Sequence, residues 1–185
     1  MNNRRVFSKT LLGLLILSMT MAVCGSVAWS MGSRVPAVGM QAEDFHLVDL
    51  DGNAQSLSQY RGKIILVNFW ATWCKPCTTE MPAMQASLDK LRDQGFVVLA
   101  VNELEDEAKV REHIRQNGHT FPVVMDRDNK VANQFGVFGL PVSVFIDRQG
   151  RVHEYIKGGL LTERMIEDIV ATIQKQEPVK AVSLR

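Results

Sequence analysis

The feature that most restricts the fold is an apolar run from Lys63 to Trp70 that leads directly into two cysteines, Cys74 and Cys77. The run is too apolar for a strand with one face in water, so it predicts a central strand that is covered on both sides. From about Cys74 to Gln94, apolar residues recur at three- and four-residue spacing, which is typical of a helix. The cysteines are therefore predicted to begin a helix that follows a buried strand.

The rest of the chain alternates between short strands and helices. The pattern predicts a hairpin around Asp51-Gly52, strands at Phe96 to Asn102, Phe121 to Met125, Val142 to Asp147 and Arg151 to Lys157, and helices at Asp106 to Asn117, Asn129 to Phe135 and Thr162 to Lys175. This alternation, ending in a hairpin and a helix, predicts an α/β sandwich with a mixed sheet. We expect one folded domain over residues 36–177 and a flexible tail over residues 178–185.

The first 35 residues have the pattern of a targeting segment. Three basic residues precede an uncharged, mostly apolar stretch over residues 10–33, which as a helix would span about 36 Å and so exceed the ~30 Å hydrocarbon core of a membrane. We expect residues 1–35 to form a cytoplasmic basic tip, an uncleaved transmembrane anchor and a linker, although Ser26-Val27-Ala28 offers a signal-cleavage site. The basic residues before the stretch outnumber Arg34 after it, which predicts that the domain lies on the outer face.

The charges and the cysteines exclude several classes of protein. The 21 basic and 20 acidic residues leave a net charge of +1, which gives no positive field to hold a nucleic-acid backbone. Three cysteines are too few for a disulfide-stapled scaffold, and Cys24 lies in the apolar stretch. Cys74 and Cys77 supply only half of a zinc site, and Thr78 stands where a haem-attachment sequence has histidine. We expect redox chemistry without a metal or organic cofactor, and no nucleic-acid partner.

The position of the two cysteines predicts different roles for them. Free backbone N–H groups and the helix dipole stabilise a thiolate at the start of a helix, so Cys74, at the exposed first position, is the better nucleophile. Cys77 lies one turn further along and is expected to be more buried, which suits a resolving thiol. Pro76 is tolerated between them because an N–H in the first turn has no partner within the helix.

The residues around the cysteines resemble a known family. Phe69-Trp70-Ala71-Thr72-Trp73-Cys74-Lys75-Pro76-Cys77, Glu80-Met81-Pro82, Phe121-Pro122-Val123-Val124, Gly139-Leu140-Pro141 and Phe145-Ile146-Asp147 are similar to the ResA/TlpA branch of the thioredoxin superfamily. The resemblance covers about Val38 to Lys175 and is closest to the ResA type. It implies a thioredoxin-like mixed-sheet sandwich with an N-terminal β-hairpin extension, preceded by one membrane-spanning helix. It also implies a thiol-disulfide oxidoreductase, a protein disulfide reductase.

The resemblance also implies roles for residues outside the cysteine pair. Pro141 corresponds to a cis-proline that faces the disulfide, and the backbone of Leu140 before it pairs with the substrate chain. The alternative is that Pro141 only starts a strand, with a trans bond before it. We also expect Trp73, next to Cys74, to shield the disulfide. Glu80 corresponds to a glutamate linked to the thiol pKa values and to substrate recognition, and the alternative is an ordinary exposed acid near a helix N-terminus. The chain departs from the family at Val142, where threonine is common.

The resemblance implies an exported disulfide as the substrate. The expected one is the C-x-x-C-H disulfide of an apocytochrome c during cytochrome c maturation, with electrons supplied by a membrane thiol-electron donor of the CcdA or DsbD type. A reductase of another exported protein, of the spore-cortex type, is an alternative. A peroxiredoxin fits less well, because no suitable proline precedes Ala71-Thr72 for a peroxidatic Pro-x-x-x-Thr-x-x-Cys frame. A less favoured alternative is a noncatalytic binding or assembly module that uses the cysteines structurally.

Removal of residues 1–35 should leave a soluble, folded and active domain, because the remaining chain holds every predicted strand and helix of that domain. The full-length chain should sediment with membranes, whereas the truncated chain should stay in the soluble fraction and keep disulfide reductase activity. An insoluble truncated chain would contradict the boundary at residue 35. A mature N-terminus at Trp29 would contradict the uncleaved anchor.

Overall fold

The computed structural model describes residues 35–176. The predicted membrane anchor and almost all of its linker, together with the predicted tail, lie outside the described residues. Within residues 35–176, no helix combines the length and the apolar character that a membrane span requires.

Strands and helices alternate along the described chain. The strands are β1 (His46–Asp49), β2 (Ala54–Ser56), β3 (Ile64–Trp70), β4 (Phe96–Glu103), β5 (Val123–Asp126), β6 (Val142–Ile146) and β7 (Val152–Lys157). The helices are α1 (Lys75–Leu91), α2 (Glu107–Asn117), α3 (Lys130–Gln134) and α4 (Glu163–Gln176), with short 3-10 helices at Leu57–Tyr60 and Arg92–Gln94. The predicted alternation is confirmed, and most ends lie within two residues of their predicted positions.

The strands form one mixed sheet of seven strands in the order β2-β1-β5-β4-β3-β6-β7. Strand β4 is parallel to both β3 and β5, while every other neighbouring pair is antiparallel. β1 and β2 are joined through Asp51-Gly52, where Gly52 has a φ of +84° that a glycine adopts without strain. The mixed α/β sandwich expected from the sequence is therefore confirmed.

The central strand β3 is buried along its whole length. Because side chains alternate across a strand, one set faces each side of the sheet. Ile64, Leu66 and Trp70 join a core cluster that includes Met81 and Met84 of α1 and Ile166, Val170 and Ile173 of α4. Ile65, Val67 and Phe69 join a second cluster that includes Val131, Ala132 and Phe135, in and just after α3. The prediction of a strand covered on both sides is confirmed.

Helix α1, which contains Cys77, follows the end of this strand. β3 ends at Trp70, four residues connect it to the helix, and α1 begins at Lys75. Strand β6 runs antiparallel beside β3, with Val142 opposite Phe69, so the loop that enters β6 arrives at the same edge of the sheet. The fold thus brings two distant segments of the chain to one edge.

Candidate active site

The two cysteines form a disulfide at the start of α1. Cys74 is the N-cap, with extended backbone angles, and Pro76 lies within the first helical turn. The Cα atoms of Cys74 and Cys77 are 5.3 Å apart, and the Cys77 N–H donates a hydrogen bond of 3.3 Å to Cys74 Sγ. The predicted placement of the pair at a helix start is confirmed, with Cys74 capping the helix. A backbone donor of the first turn is therefore already directed at the sulfur predicted to carry the negative charge.

The burial of the two sulfurs differs from the expectation in one respect. Cys77 is fully buried, and Cys74 is 5% exposed, so the predicted order is right. The expectation that Cys74 is exposed is wrong for the disulfide form, because both residues belong to the core cluster between the sheet, α1 and α4. Trp73, the residue before Cys74, is 68% exposed, whereas Trp70 is completely buried. An exposed aromatic ring therefore adjoins a nearly hidden disulfide.

The loop that enters β6 contains the predicted cis peptide bond, between Leu140 and Pro141. Because Val142 pairs with Phe69, Pro141 lies level with the end of β3, the strand that leads to the cysteines. The Pro141 carbonyl accepts a 2.9 Å hydrogen bond from the Gly158 N–H. Leu140 is partly buried and packs against the cluster that contains both cysteines. The structure thus brings Leu140 and Pro141 to the sheet edge at which Cys74 and Cys77 begin α1.

Glu80 is buried, at 2% exposure, so the alternative of an ordinary exposed helix-end acid is wrong. Its Oε1 accepts a 2.8 Å hydrogen bond from Asn68 Nδ2, and its Oε2 accepts a 3.1 Å bond from the Leu161 N–H. Burial raises the pKa of Glu80, and the hydrogen bonds from Leu161 and Asn68 act in the opposite direction. Glu80 is the third residue after Cys77 on α1, a spacing that places both side chains on the same side of that helix.

Asn68 was not singled out from the sequence, although it connects the parts of the site. It lies in the middle of β3, is fully buried, and donates a second hydrogen bond of 2.9 Å to Ser143 Oγ on β6. Its Oδ1 has no hydrogen-bond partner among the described residues. The signal in the sequence was a single polar residue within an apolar strand, which must find partners inside the fold.

Glu105 is a second residue that sequence reasoning missed. Its carboxylate accepts two 2.6 Å hydrogen bonds from Thr72, through the backbone N–H and Oγ1, and further bonds from Asn102 at 2.9 Å and Lys109 at 2.7 Å. Burial opposes ionisation, but these hydrogen bonds prevail and lower the pKa of Glu105 to about 2. Thr72 lies in the turn before Cys74, so this ionised carboxylate holds that turn against α2.

The chemistry of the site follows from its sulfurs. Within residues 35–176, no three His, Cys, Asp or Glu side chains come together in a way that would hold a metal ion. A disulfide at the start of a helix can accept two electrons and return them by exchange with another disulfide. Together with the mixed sheet and the cis-proline at the same edge, it defines a thioredoxin-like thiol-disulfide oxidoreductase.

Comparison with known proteins agrees with this class. The chain belongs to the AhpC/TSA family, whose model matches residues 38–155. It is 44% identical over 127 residues to the thiol-disulfide oxidoreductase ResA of Geobacillus thermodenitrificans, covering 69% of this chain and 73% of that protein. It is 32% identical over 151 residues to ResA of Bacillus thuringiensis subsp. konkukian, covering 78% of this chain and 87% of that protein.

A solved structure shows the same fold. The thiol:disulfide interchange protein of the thioredoxin family from Chlorobium tepidum aligns with a TM-score of 0.67 and 29% sequence identity, over 74% of this chain and 97% of that one. The fold, the Cys74–Cys77 disulfide and the relatives together show a protein disulfide oxidoreductase that acts on a disulfide-containing substrate.

Replacement of Glu105 by glutamine should destabilise the domain by roughly 1–3 kcal/mol near neutral pH, because a buried charged acceptor becomes neutral. The pKa of Glu105 is lowered from 4.5 to about 2, so its stabilising effect is complete above pH 4.5 and is lost as the pH falls towards 2. The difference in free energy of unfolding between wild type and Glu105→Gln should therefore shrink over that range. Urea denaturation at a series of pH values measures it.

The matched control for this experiment is Glu112→Gln, which removes an exposed carboxylate from the neighbouring helix α2. Its effect on stability should be small at every pH. A Glu105→Gln difference that stays constant between neutral pH and pH 2 would contradict the ionised state of Glu105.

Proposed function

We propose that this chain reduces the C-x-x-C-H disulfide of an apocytochrome c during cytochrome c maturation, outside the cytoplasm. The observation that carries the proposal is the pairing of the Cys74–Cys77 disulfide with Glu80, a buried carboxyl on the same side of α1. The names of the relatives, thiol-disulfide oxidoreductase ResA, support the same assignment.

The burial of Glu80 favours a reductase over an oxidant. A strong disulfide oxidant has a stabilised reduced form, in which a thiolate is favoured. Negative charge on Glu80 opposes a thiolate at Cys77, and within residues 35–176 no cation forms an ion pair with Glu80 to offset that charge. The reduced form therefore lacks one source of stabilisation, and the protein gives up its electrons more readily.

The reaction proceeds in two exchanges. The Cys74 thiolate attacks one sulfur of the substrate disulfide, forms a mixed disulfide and releases the other substrate sulfur as a thiolate. Cys77 loses its proton, with Glu80 as the nearby acceptor, and attacks Cys74 Sγ. The Cys74–Cys77 disulfide forms, the mixed disulfide breaks, and the substrate leaves with two electrons and two reduced sulfurs.

The surroundings of the disulfide supply the substrate-binding surface in this proposal. Trp73 offers an exposed aromatic ring next to Cys74, and Leu140 with Pro141 offers backbone at the same edge of the sheet. An extended substrate segment pairs with that backbone while its disulfide reaches Cys74. The same opening serves a CcdA- or DsbD-type membrane donor, which reduces the Cys74–Cys77 disulfide again.

The proposed location depends on the N-terminal segment. Residues 1–35 anchor the chain in the cell membrane as a single span, with the folded domain over residues 36–177 on the outer face and a short tail beyond it. Such an anchor keeps the domain close both to exported apocytochromes and to a membrane electron donor.

Substitution of Cys77 by alanine should trap the substrate, because the mixed disulfide on Cys74 then has no resolving thiol. A covalent complex should accumulate on a non-reducing gel and disappear with reductant, whereas Cys74→Ala should accumulate none. Mass spectrometry of the trapped partner identifies the substrate. Equal trapping by both variants would overturn the assigned roles, and absence of every C-x-x-C-H protein from the trapped material would overturn the proposed substrate.

Replacement of Glu80 by glutamine should lower the apparent pKa of the active-site thiols, because a nearby negative charge is removed. The rate of alkylation of the reduced protein as a function of pH measures this pKa. Asp89→Asn, which removes an exposed acid near the other end of α1, is the matched control and should leave the profile unchanged. Identical profiles for wild type and Glu80→Gln would show that Glu80 has no electrostatic influence on the thiols.

A further inference from the structure

Two acidic residues lie side by side on the face of the sheet opposite to Glu80. Glu103 is the last residue of β4 and Asp126 the last residue of β5, and they are register partners on these parallel strands. Val101 and Val124, the pair two positions earlier, belong to the core cluster on the α3 side, so both acids face that side. Asp126 is fully buried, and Glu103 is 9% exposed.

The hydrogen bonds of the pair are incomplete. Asp126 Oδ2 accepts a 2.8 Å bond from the Ala132 N–H in α3. Asp126 Oδ1 and Glu103 Oε1 are buried and have no hydrogen-bond partner among the described residues. No ion pair within residues 35–176 joins either carboxyl to a lysine or arginine. A proton on one carboxyl would supply the missing donor, because a protonated carboxyl donates and a carboxylate only accepts.

Among the described residues, the groups around the pair favour an ionised Asp126: the backbone N–H groups of Lys130, Val131 and Ala132 act against its burial, and Lys130 adds a positive charge near it. Asp128, in the turn before α3, adds a negative charge near Asp126, and Lys130 is exposed and pairs with Asp128. The negative charge of Glu103 also acts on Tyr155 of β7. Burial, together with the Asp126 charge, raises the pKa of Glu103 to about 7, and burial raises the pKa of Asp126 as well. Two neighbouring buried carboxyls resist ionising together, so one proton is retained into the neutral range.

The pair lies beneath the segment that leads to the cis-proline. Asp126 holds the start of α3 through Ala132, and the Tyr155 hydroxyl donates to the carbonyls of Phe135, at 3.0 Å, and Gly136, at 3.2 Å. Burial, with a smaller effect of the Glu103 charge, raises the pKa of Tyr155 to about 12, so its hydroxyl stays protonated and donates these two bonds. From Gly136 the chain runs within a few residues to Pro141.

We propose that Glu103 and Asp126 share one proton, and that loss of this proton above neutral pH loosens residues 130–141 and displaces Leu140 and Pro141. Both acids are then positioning residues for disulfide exchange, acting through the cis-proline loop. The inference rests on the proposed role of Leu140 and Pro141 in binding the substrate chain.

The shared proton is tested first by infrared difference spectroscopy of the truncated domain over a pH series. The carbonyl band of a protonated carboxyl should persist well above the ordinary range of a glutamate and disappear near pH 7. Glu103→Gln, an uncharged variant close in shape to the protonated acid, should lack that band, and the exposed control Glu43→Gln should keep it. Absence of the band in wild type at about pH 6, or its persistence in Glu103→Gln, would overturn the proposal.

A second variant, Asp126→Asn, tests the pair independently of any folding defect in Glu103→Gln. Asp126→Asn should move the disappearance of the band to lower pH, because the Asp126 charge no longer raises the pKa of Glu103 whereas burial still does, and an unchanged midpoint would overturn the shared proton. The free energy of unfolding of the wild type should fall as the pH rises from 4.5 to about 7, because the folded state holds a proton that the unfolded state releases. Disappearance of the wild-type band on addition of calcium chloride at constant pH would show that a cation joins the carboxyls, and would overturn the shared proton.

The coupling to the active site is tested by hydrogen exchange and by kinetics. For the amides of residues 130–141, the ratio of the wild-type exchange rate to the Glu103→Gln exchange rate should be several-fold higher above pH 7 than below it. For the amides of β3, this ratio should not change with pH. The KM for reduction of insulin should rise several-fold in wild type relative to Glu103→Gln over the same range, with kcat little changed. Taking the ratio at each pH cancels the titration of the thiols.

The outcomes separate this inference from the proposed function. A flat KM ratio with faster exchange would overturn the positioning role, and equal exchange in both proteins would overturn the loosening. An apocytochrome that is never trapped by the Cys77→Ala variant would instead refute the proposed substrate, and would leave the infrared and exchange results unaffected.

Discussion

The complete burial of β3 is the constraint on which the site depends. Side chains on both faces of this strand pack into core clusters, so its position in the sheet is fixed, and the disulfide begins a few residues after its end. The one polar side chain of its buried middle, Asn68, must form hydrogen bonds inside the fold, since a buried unpaired polar group costs about 1–3 kcal/mol. It bonds to Glu80 and to Ser143. The Asn68 side-chain amide thus links α1, which begins at the disulfide, to β6, which follows the cis-proline.

Glu105, Glu80 and Glu103 have buried carboxyl groups with different surroundings, and these differences determine whether each group is charged. Glu105 has four donors, including Lys109, and its pKa falls to about 2. Glu80 has two uncharged donors, which do not fully offset its burial. Glu103 is buried beside Asp126, and burial together with the Asp126 charge raises its pKa to about 7. The ionised Glu105 holds a turn in place, whereas Glu103, with a pKa of about 7, can exchange protons near neutral pH.

The sequence predicted the parts of the site that are determined by neighbouring residues along the chain. The helix start at Cys74 and the cis bond before Pro141 were predictable, because one follows from periodicity and the other from a family motif. The near-burial of Cys74 and the contact of Glu105 with Thr72 were not, because they depend on how β4 and α2 pack beside the end of β3. The turn at Asp51-Gly52 was likewise predictable from the sequence, but the pairing of β1 with β5 was not.

The burial of the disulfide also constrains the order of events. Cys77 is hidden and Cys74 is exposed by only 5%, so any external sulfur must approach through one small opening at Cys74. Trp73 precedes that opening in sequence, and Pro141 lies at the same sheet edge by register. In the proposed function, a reducing partner acts on the disulfide form and a substrate disulfide acts on the dithiol form, and both react at Cys74. Electrons must enter the Cys74–Cys77 pair from one partner, which then leaves before the next partner binds, and this is the ordering of a ping-pong reaction.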